Sequence, residues 1–262
     1  MQDPAERFAN VVAPDRAAVH LDEAALCIAA HAREGLDVDE WCSRLDDLAG
    51  EARLPSFDEV RHVLFEEHDF RGDTAHYQDP ENSFLDAVLT RERGIPISLS
   101  VVVIEVARRL GIPVHGVGMP GHFLVQDADS DGFWLDAFHG GALLQYEDCA
   151  RIVDRIYRGT RRLVPSDLTP TPARAILARM LANLEGGSLA SDPTQLAWML
   201  RLHVMIPGTA VHARLQLLRQ FAEVGHPAHV AQAYDLVVGQ LDDDKAREQV
   251  DAEATRYRRR WN

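Results

Sequence analysis

His122 and Asp136 stand fourteen residues apart on what reads as a hairpin, and a histidine facing a carboxylate is suited to proton transfer. After Gly121-His122 come Phe123-Leu124-Val125-Gln126, a polar turn Asp127-Ala128-Asp129-Ser130-Asp131-Gly132, and Phe133-Trp134-Leu135. Two short apolar runs around an Asp/Ser/Gly cluster signal a β-hairpin. If Phe123 faces Leu135 and Val125 faces Phe133, the same register sets His122 beside Asp136. Side chains so paired lie within reach of each other. A carboxylate bonded to one ring nitrogen fixes the tautomer and leaves the other nitrogen free as a general base. The competing reading is a buried histidine bonded to an acid and inert. Catalysis also requires a nucleophile.

A second chemistry uses the same residues. His115, His122, Asp136 and His139 offer metal ligands, since His and Asp commonly bind zinc. Strand alternation works against this, because His115 and His139 need not share a face with His122. No metal and no cofactor is assigned. Of the three cysteines, Cys27 and Cys42 fall in helical segments without a cationic or Gly-rich setting and read as small buried hydrophobes. Cys149 follows Glu147 and Asp148, which would raise its pKa, so packing is its expected role too.

The elements that must position these residues are legible in the surrounding pattern. Residues 16 to 50 have helical periodicity, with Leu21, Ala25 and Ala29 followed by Val38, Trp41, Leu45 and Leu48; Gly35 separates two helices. Asp79-Pro80-Glu81-Asn82 opens a further helix, expected to run to about Arg93 and stop at Gly94. The segment from Pro96 to Leu110 is β-branched in its middle, yet its length, the leading Pro96, the terminal Arg108 and Arg109 and the Gly111-Ile112-Pro113 stop predict a buried helix. Strands are expected at Val114 to Met119, His122 to Gln126 and Phe133 to Phe138, and a short helix at Glu147 to Arg158. Beyond Thr169-Pro170-Thr171-Pro172 everything reads as helical, in segments 173–185, 193–205, 210–224, 227–241 and 244–260. The pair around Leu177 to Leu184 resembles the pair around Leu215 to Ala222 at the ~34-residue spacing of tetratricopeptide repeats.

Bulk composition narrows the function. With 262 residues, 46% apolar and 26% charged, the chain is an ordinary globular protein with room for one large or two smaller cores. A formal charge of −14 argues against a nucleic-acid partner, which would require concentrated Lys and Arg. The basic stretch Arg256-Tyr257-Arg258-Arg259-Arg260 reads as the cationic last turn of a helix. No apolar run approaches the ~18 residues that cross a membrane, no secretory signal is visible, and scattered cysteines point to a reducing cytoplasm.

A buried helix with a Leu-Gly-Ile-Pro stop, then a strand, then His on one strand and Asp on the next resembles the core of the transglutaminase-like superfamily. The blocks Asp79-Pro80-Glu81-Asn82-Ser83-Phe84-Leu85, Arg93-Gly94-Ile95-Pro96-Ile97-Ser98-Leu99-Ser100, Gly118-Met119-Pro120-Gly121-His122-Phe123 and Leu135-Asp136-Ala137-Phe138-His139-Gly140-Gly141 are similar to its SirB-type bacterial branch, which carries a tetratricopeptide-like tail. The resemblance covers about residues 50 to 160 well and the tail loosely. It implies a papain-like Cys-His-Asp chemistry of acyl transfer or amide hydrolysis, with the cysteine at the start of the buried helix, where the dipole lowers its pKa. His122 and Asp136 match the base and the orienting acid, but no cysteine lies near Pro96. Ser98 is the nearest hydroxyl, as a nucleophile served by His122 or as a helix cap; Ser100 is a lesser candidate. Asn82, Glu81 and Gly121 become site-wall residues, although capping alone explains the first two.

The expected fold is α+β: an N-terminal helical segment (1–50), a transglutaminase-like, papain-like core with a buried helix on a small antiparallel sheet (51–165), and an all-helical repeat-like region (166–262). The expected function is protein or peptide binding through the cleft or the helical tail, by a member that lacks the usual nucleophile. The alternative is an acyl-transfer enzyme or amide/ester hydrolase using Ser98, His122 and Asp136.

Overall fold

Asp3 starts the first helix by accepting a 3.0 Å hydrogen bond from the Ala5 amide, and α1 (Pro4–Val12) buries Ala5, Phe8 and Val12. The computed structural model describes residues 3–129 and 132–261; Ser130 and Asp131 of the expected turn, and the Arg260 side chain, lie outside the described residues. Helices α2 (Leu21–Ala32) and α3 (Val38–Gly50) follow, separated by Gly35 at φ +84°, a left-handed conformation that glycine adopts without steric cost. Ser56 caps the short α4 (Phe57–Arg61), which runs into a π-helical turn over His62–Glu67.

The segment after Asp79 departs from the expected single helix. Asp79 caps only a 3-10 turn, Pro80–Asn82, and the chain extends at Phe84 before α5 (Leu85–Arg91) begins. The cause is visible at Asn82. Its carbonyl accepts from Ser98 Oγ at 2.6 Å and from the Ile95 amide at 3.3 Å, so it is unavailable to the next helical turn. The helix ends at Glu92 in the left-handed region, ahead of Gly94. Strands β1 (Arg71–Gly72) and β2 (Arg93–Gly94), which the sequence pattern did not signal, pair in parallel across this turn.

Helix α6 (Pro96–Arg109) is buried almost all round, as a helix of this apolar character must be. Each fully buried Val or Leu there contributes about 1.5–3 kcal/mol. Its one buried acid, Glu105, is fully partnered: it accepts from the Leu21 amide at 2.9 Å and pairs with Arg108 and Arg109, fastening α6 to α2. Four antiparallel strands come next in the order β3 (Val114–Val117), β4 (Leu124–Asp127), β5 (Trp134–Asp136) and β6 (Ala142–Leu144). Sequence reasoning expected three. The fourth is short and its leading residues are exposed, so it lacks the alternating apolar pattern that marks a strand.

The sheet sorts its side chains by the two-residue period. Phe123, Val125, Leu135 and Ala137 join the core formed with α6, while Val117, Met119, Leu124 and Trp134 pack with Cys149 and Val153 of α7 (Tyr146–Tyr157). Past Pro165 come α8 (Ala173–Glu185), α9 (Pro193–Met205), α10 (Val211–Val224), α11 (Pro227–Gly239) and α12 (Asp244–Trp261), close to the expected bounds. Ile176, Leu177, Met180, Leu181 and Leu184 of α8 belong to the same core as α6, whereas α10, α11 and α12 close a separate one around Leu218, Phe221, Val237 and Val250. No described helix is long and apolar enough to cross a membrane.

Candidate functional site

His122 sits at the exit of a tight turn. Its amide donates to Met119 O at 3.2 Å, and Gly121 at φ +73° lies against Ile156, where a Cβ would come within 2.9 Å of a methyl carbon. Helix α8 and the segment before it grip this loop from outside. The Thr171 amide donates to Gly116 O and the Gly118 amide to Thr171 Oγ1, both at 2.8 Å. Arg179 donates to His122 O at 2.9 Å and to Met119 O at 3.3 Å, with its guanidinium over the Phe123 ring.

Asp136 ends β5 and is fully buried. Its Oδ1 accepts from the amides of Phe138 (3.1 Å) and His139 (3.2 Å), which fixes the carboxylate plane. Its Oδ2 accepts from His122 Nε2 at 2.9 Å and from His139 Nδ1 at 2.8 Å. Burial alone would raise this carboxyl, but the two imidazole hydrogen bonds outweigh it and hold the group below the usual carboxylate range.

The His–Asp bond forms in a register other than the expected one. Val125 pairs with Leu135, two residues away from the expected Phe133, and Phe133 is left half-exposed beyond the strand. A shift of two keeps every side chain on its face, whereas a shift of one would have reversed them all. His122, just ahead of β4, therefore reaches Asp136 diagonally. Phe138 stands edge-on to the His122 ring with centroids 6.1 Å apart, and Tyr77 packs on Phe138 at 5.7 Å. Among the described residues, His122 Nδ1 has no hydrogen-bond partner.

The other candidates are placed as follows. Ser98 is completely buried; its Oγ bonds Asn82 O (2.6 Å), Ile95 O (3.1 Å) and the Ile95 amide (3.1 Å), and none of these bonds involves His122. Ser100 is buried without a partner for its hydroxyl. Burial pushes the thiols of Cys27 and Cys42 up to about 12 and that of Cys149 to about 11. Asn82 is buried, donating to His76 O at 2.8 Å, and Glu81 pairs with Arg33 at 2.5 Å. His115 is exposed on β3 opposite Gln126, away from the metal-capable group, which consists of His122, Asp136 and His139. A cleft of about 290 Å³ runs between Tyr77, Pro80 and Ile95 on one side and Asn183, Leu184 and Leu189 on the other.

Sequence reasoning missed one participant, Arg179, and set aside another, His139, because strand alternation need not put it on the face of His122. His139 turns back onto Asp136 because the chain bends sharply at Phe138, whereas a continuing strand would have separated them. Arg179 lies 57 residues from His122, beyond the range of any local pattern.

Comparison with known proteins places this geometry in a family context. The family model of the transglutaminase-like superfamily matches residues 29–182. A UPF0162 protein of Pseudomonas aeruginosa is 32% identical over 265 residues, covering 95% of this chain and 93% of that one. A UPF0162 protein of Xylella fastidiosa is 44% identical over 132 residues, 48% of this chain and 46% of the relative. The mouse F-box only protein 21 is 32% identical over 136 residues, 48% of this chain and 21% of that protein. The matched segments thus span under half the length of these last two relatives. Among solved structures, menin is similar with a TM-score of 0.45 at 14% identity, over 95% of this chain and 67% of that one.

Proposed function

Since this chain belongs to the transglutaminase-like superfamily and, within it, to the UPF0162 proteins, we propose that it is a SirB-type member that binds a protein or peptide instead of cleaving one. The His122–Asp136 pair then serves recognition, and the helical region from 166 onward is a tetratricopeptide-like scaffold for further contacts. What carries this reading is the engagement of Ser98. A serine nucleophile needs a base within hydrogen-bond reach, but the Ser98 hydroxyl is committed to the Asn82 carbonyl at 2.6 Å and shut away from solvent. The cysteines offer no substitute, because burial keeps their thiols protonated at neutral pH. His122 Nδ1 remains available to a polar group of a partner, and the cleft beside Tyr77 approaches the usual size of a ligand pocket.

The test combines labelling with binding. The purified chain is exposed to fluorophosphonate and iodoacetamide probes, and peptides that bind it are selected from a displayed library. Expected are no label at Ser98 or Cys149, and peptides whose affinity falls at least tenfold in Tyr77→Ala and His122→Ala. Labelling of Ser98 that disappears in His122→Ala would overturn the binding reading and establish a Ser98-His122-Asp136 hydrolase or acyltransferase.

A further inference from the structure

We propose that His122 Nε2, Asp136 Oδ2 and His139 Nδ1 form a binding site for one divalent first-row transition-metal ion, with Zn²⁺ as the ion of first choice. The proposal goes beyond the binding reading and stands or falls independently of it. Three donor atoms from two imidazoles and one carboxylate lie within 4.8 Å of one another, the only such His/Cys/Asp/Glu group among the described residues. Two imidazoles with one carboxylate suit zinc and its first-row neighbours, whereas Ca²⁺ and Mg²⁺ require mostly oxygen ligands.

The carboxylate is oriented as a metal ligand would be. Two backbone amides hold Oδ1, so Oδ2 is aimed at the space between the imidazoles with no freedom to turn away. Such outer hydrogen bonds are what orient ligands in metal sites. His122 is held just as firmly through its carbonyl by Arg179, and Phe138 walls its ring on one side. His139, by contrast, is 55% exposed, which gives an ion an entry path and leaves coordination positions open to water or a ligand. With metal–ligand bonds of about 2.1 Å, the observed N···O separations of 2.9 and 2.8 Å subtend angles near 90° at an ion. Each imidazole would then occupy a position next to the carboxylate oxygen on the ion.

Without metal, both imidazole N–H groups donate to Oδ2. Binding moves each imidazole to its other tautomer: the two N–H···O bonds break, the two protons pass to the opposite ring nitrogens, His122 Nδ1 and His139 Nε2, and two M–N bonds and one M–O bond form with no net release of protons from neutral imidazoles.

The experiment is calorimetric titration of Zn²⁺ into the chelator-treated full chain, repeated in two buffers of different ionisation enthalpy, with Co²⁺ absorption as a second readout. Expected are one ion per chain at micromolar affinity or tighter, a binding heat that does not change with the buffer, and Co²⁺ bands of nitrogen–oxygen coordination. His139→Ala, at an exposed position where folding is not at risk, should weaken Zn²⁺ binding at least tenfold; unfolding curves confirm that the variant folds. The double variant His226→Ala/His229→Ala, which removes a distant neighbouring pair, should bind as tightly as the parent. Absence of binding to the folded parent overturns the proposal, as does an affinity that His139→Ala leaves unchanged or that the His226/His229 variant loses.

Discussion

Arg179 Nη2 donates a 2.9 Å hydrogen bond to the main-chain oxygen of His122, so a residue of the first C-terminal helix holds the candidate site's histidine from behind. The guanidinium has no ion pair among the described residues, and burial lowers its pKa. Its neighbours of opposite tendency are the phenols of Tyr77 and Tyr157. A cation kept in such surroundings is there for its geometry, because a planar fork can satisfy two carbonyls of one turn at once.

Replacing it tests that geometry. Arg179→Met keeps an apolar stem over Phe123 and removes both carbonyl bonds, for a stability loss of about 1–2 kcal/mol. Amide exchange across 118–122 should accelerate, and Arg179→Lys should not restore protection, since a single ammonium cannot reproduce the fork.

Ser98→Ala removes the 2.6 Å bond to the Asn82 carbonyl and one of two acceptors of the Ile95 amide, leaving these buried groups only their 3.3 Å bond to each other. The expected loss is about 1–3 kcal/mol in urea unfolding. Disruption should spread first to the 80–84 turn, which hangs on the Asn82 carbonyl, and this spread is readable by proteolysis there.

His31 makes stability depend on acid. It stacks on Trp198 with ring centroids 5.4 Å apart, and burial pushes its pKa down to about 4, against about 6.5 in an unfolded chain. Above pH 6.5 both states hold it neutral and it has no effect. Between 6.5 and 4 the unfolded chain takes up the proton more readily, so stability falls as pH drops, by up to about 3 kcal/mol before solvent screening reduces it. His31→Phe should flatten the unfolding midpoint against pH over that window; an unchanged slope would exclude His31 as the source.

Gly72→Ala probes the wall of the site. A Cβ at residue 72 would stand 2.3 Å from two carbons of the Phe138 ring, so that ring must swing aside. The cost of such overpacking is about 1–3 kcal/mol. Loss of the edge-on contact should also shift the His122 ring signals in NMR spectra, whereas an alanine accommodated without moving Phe138 would leave them in place.

How much of this the sequence made legible depended on range. Helices α8 to α12 were bounded by Pro, Gly and Asp signals and came out within about two residues, because capping and helix breaking are local effects. The pairing of His122 with Asp136 was also legible, since a two-residue error in register preserves the face. The broken helix at Ser83 was not: Asn82 gives its carbonyl to Ser98, sixteen residues on, and that tertiary bond overrides a good local start signal. Strand β6 and the return of His139 onto Asp136 were hidden for a related reason, because a bend at Phe138 and Gly140-Gly141 decides both and leaves no periodicity.

Helix α8 has two employments that cannot be separated: its apolar face closes the principal core, and its arginine steadies the loop of His122. A cut placed in the Thr169–Pro172 linker would look innocent in the sequence, yet it would unroof Leu177 and Leu181 and release the histidine together. A seam further on is no cleaner, because α9 gives Met199 and Leu202 to the principal core and Leu200 and Val204 to the second. Inheritance of the site is thereby tied to inheritance of α8, and the family match, which runs on to residue 182, ends inside that helix after Arg179 has been included.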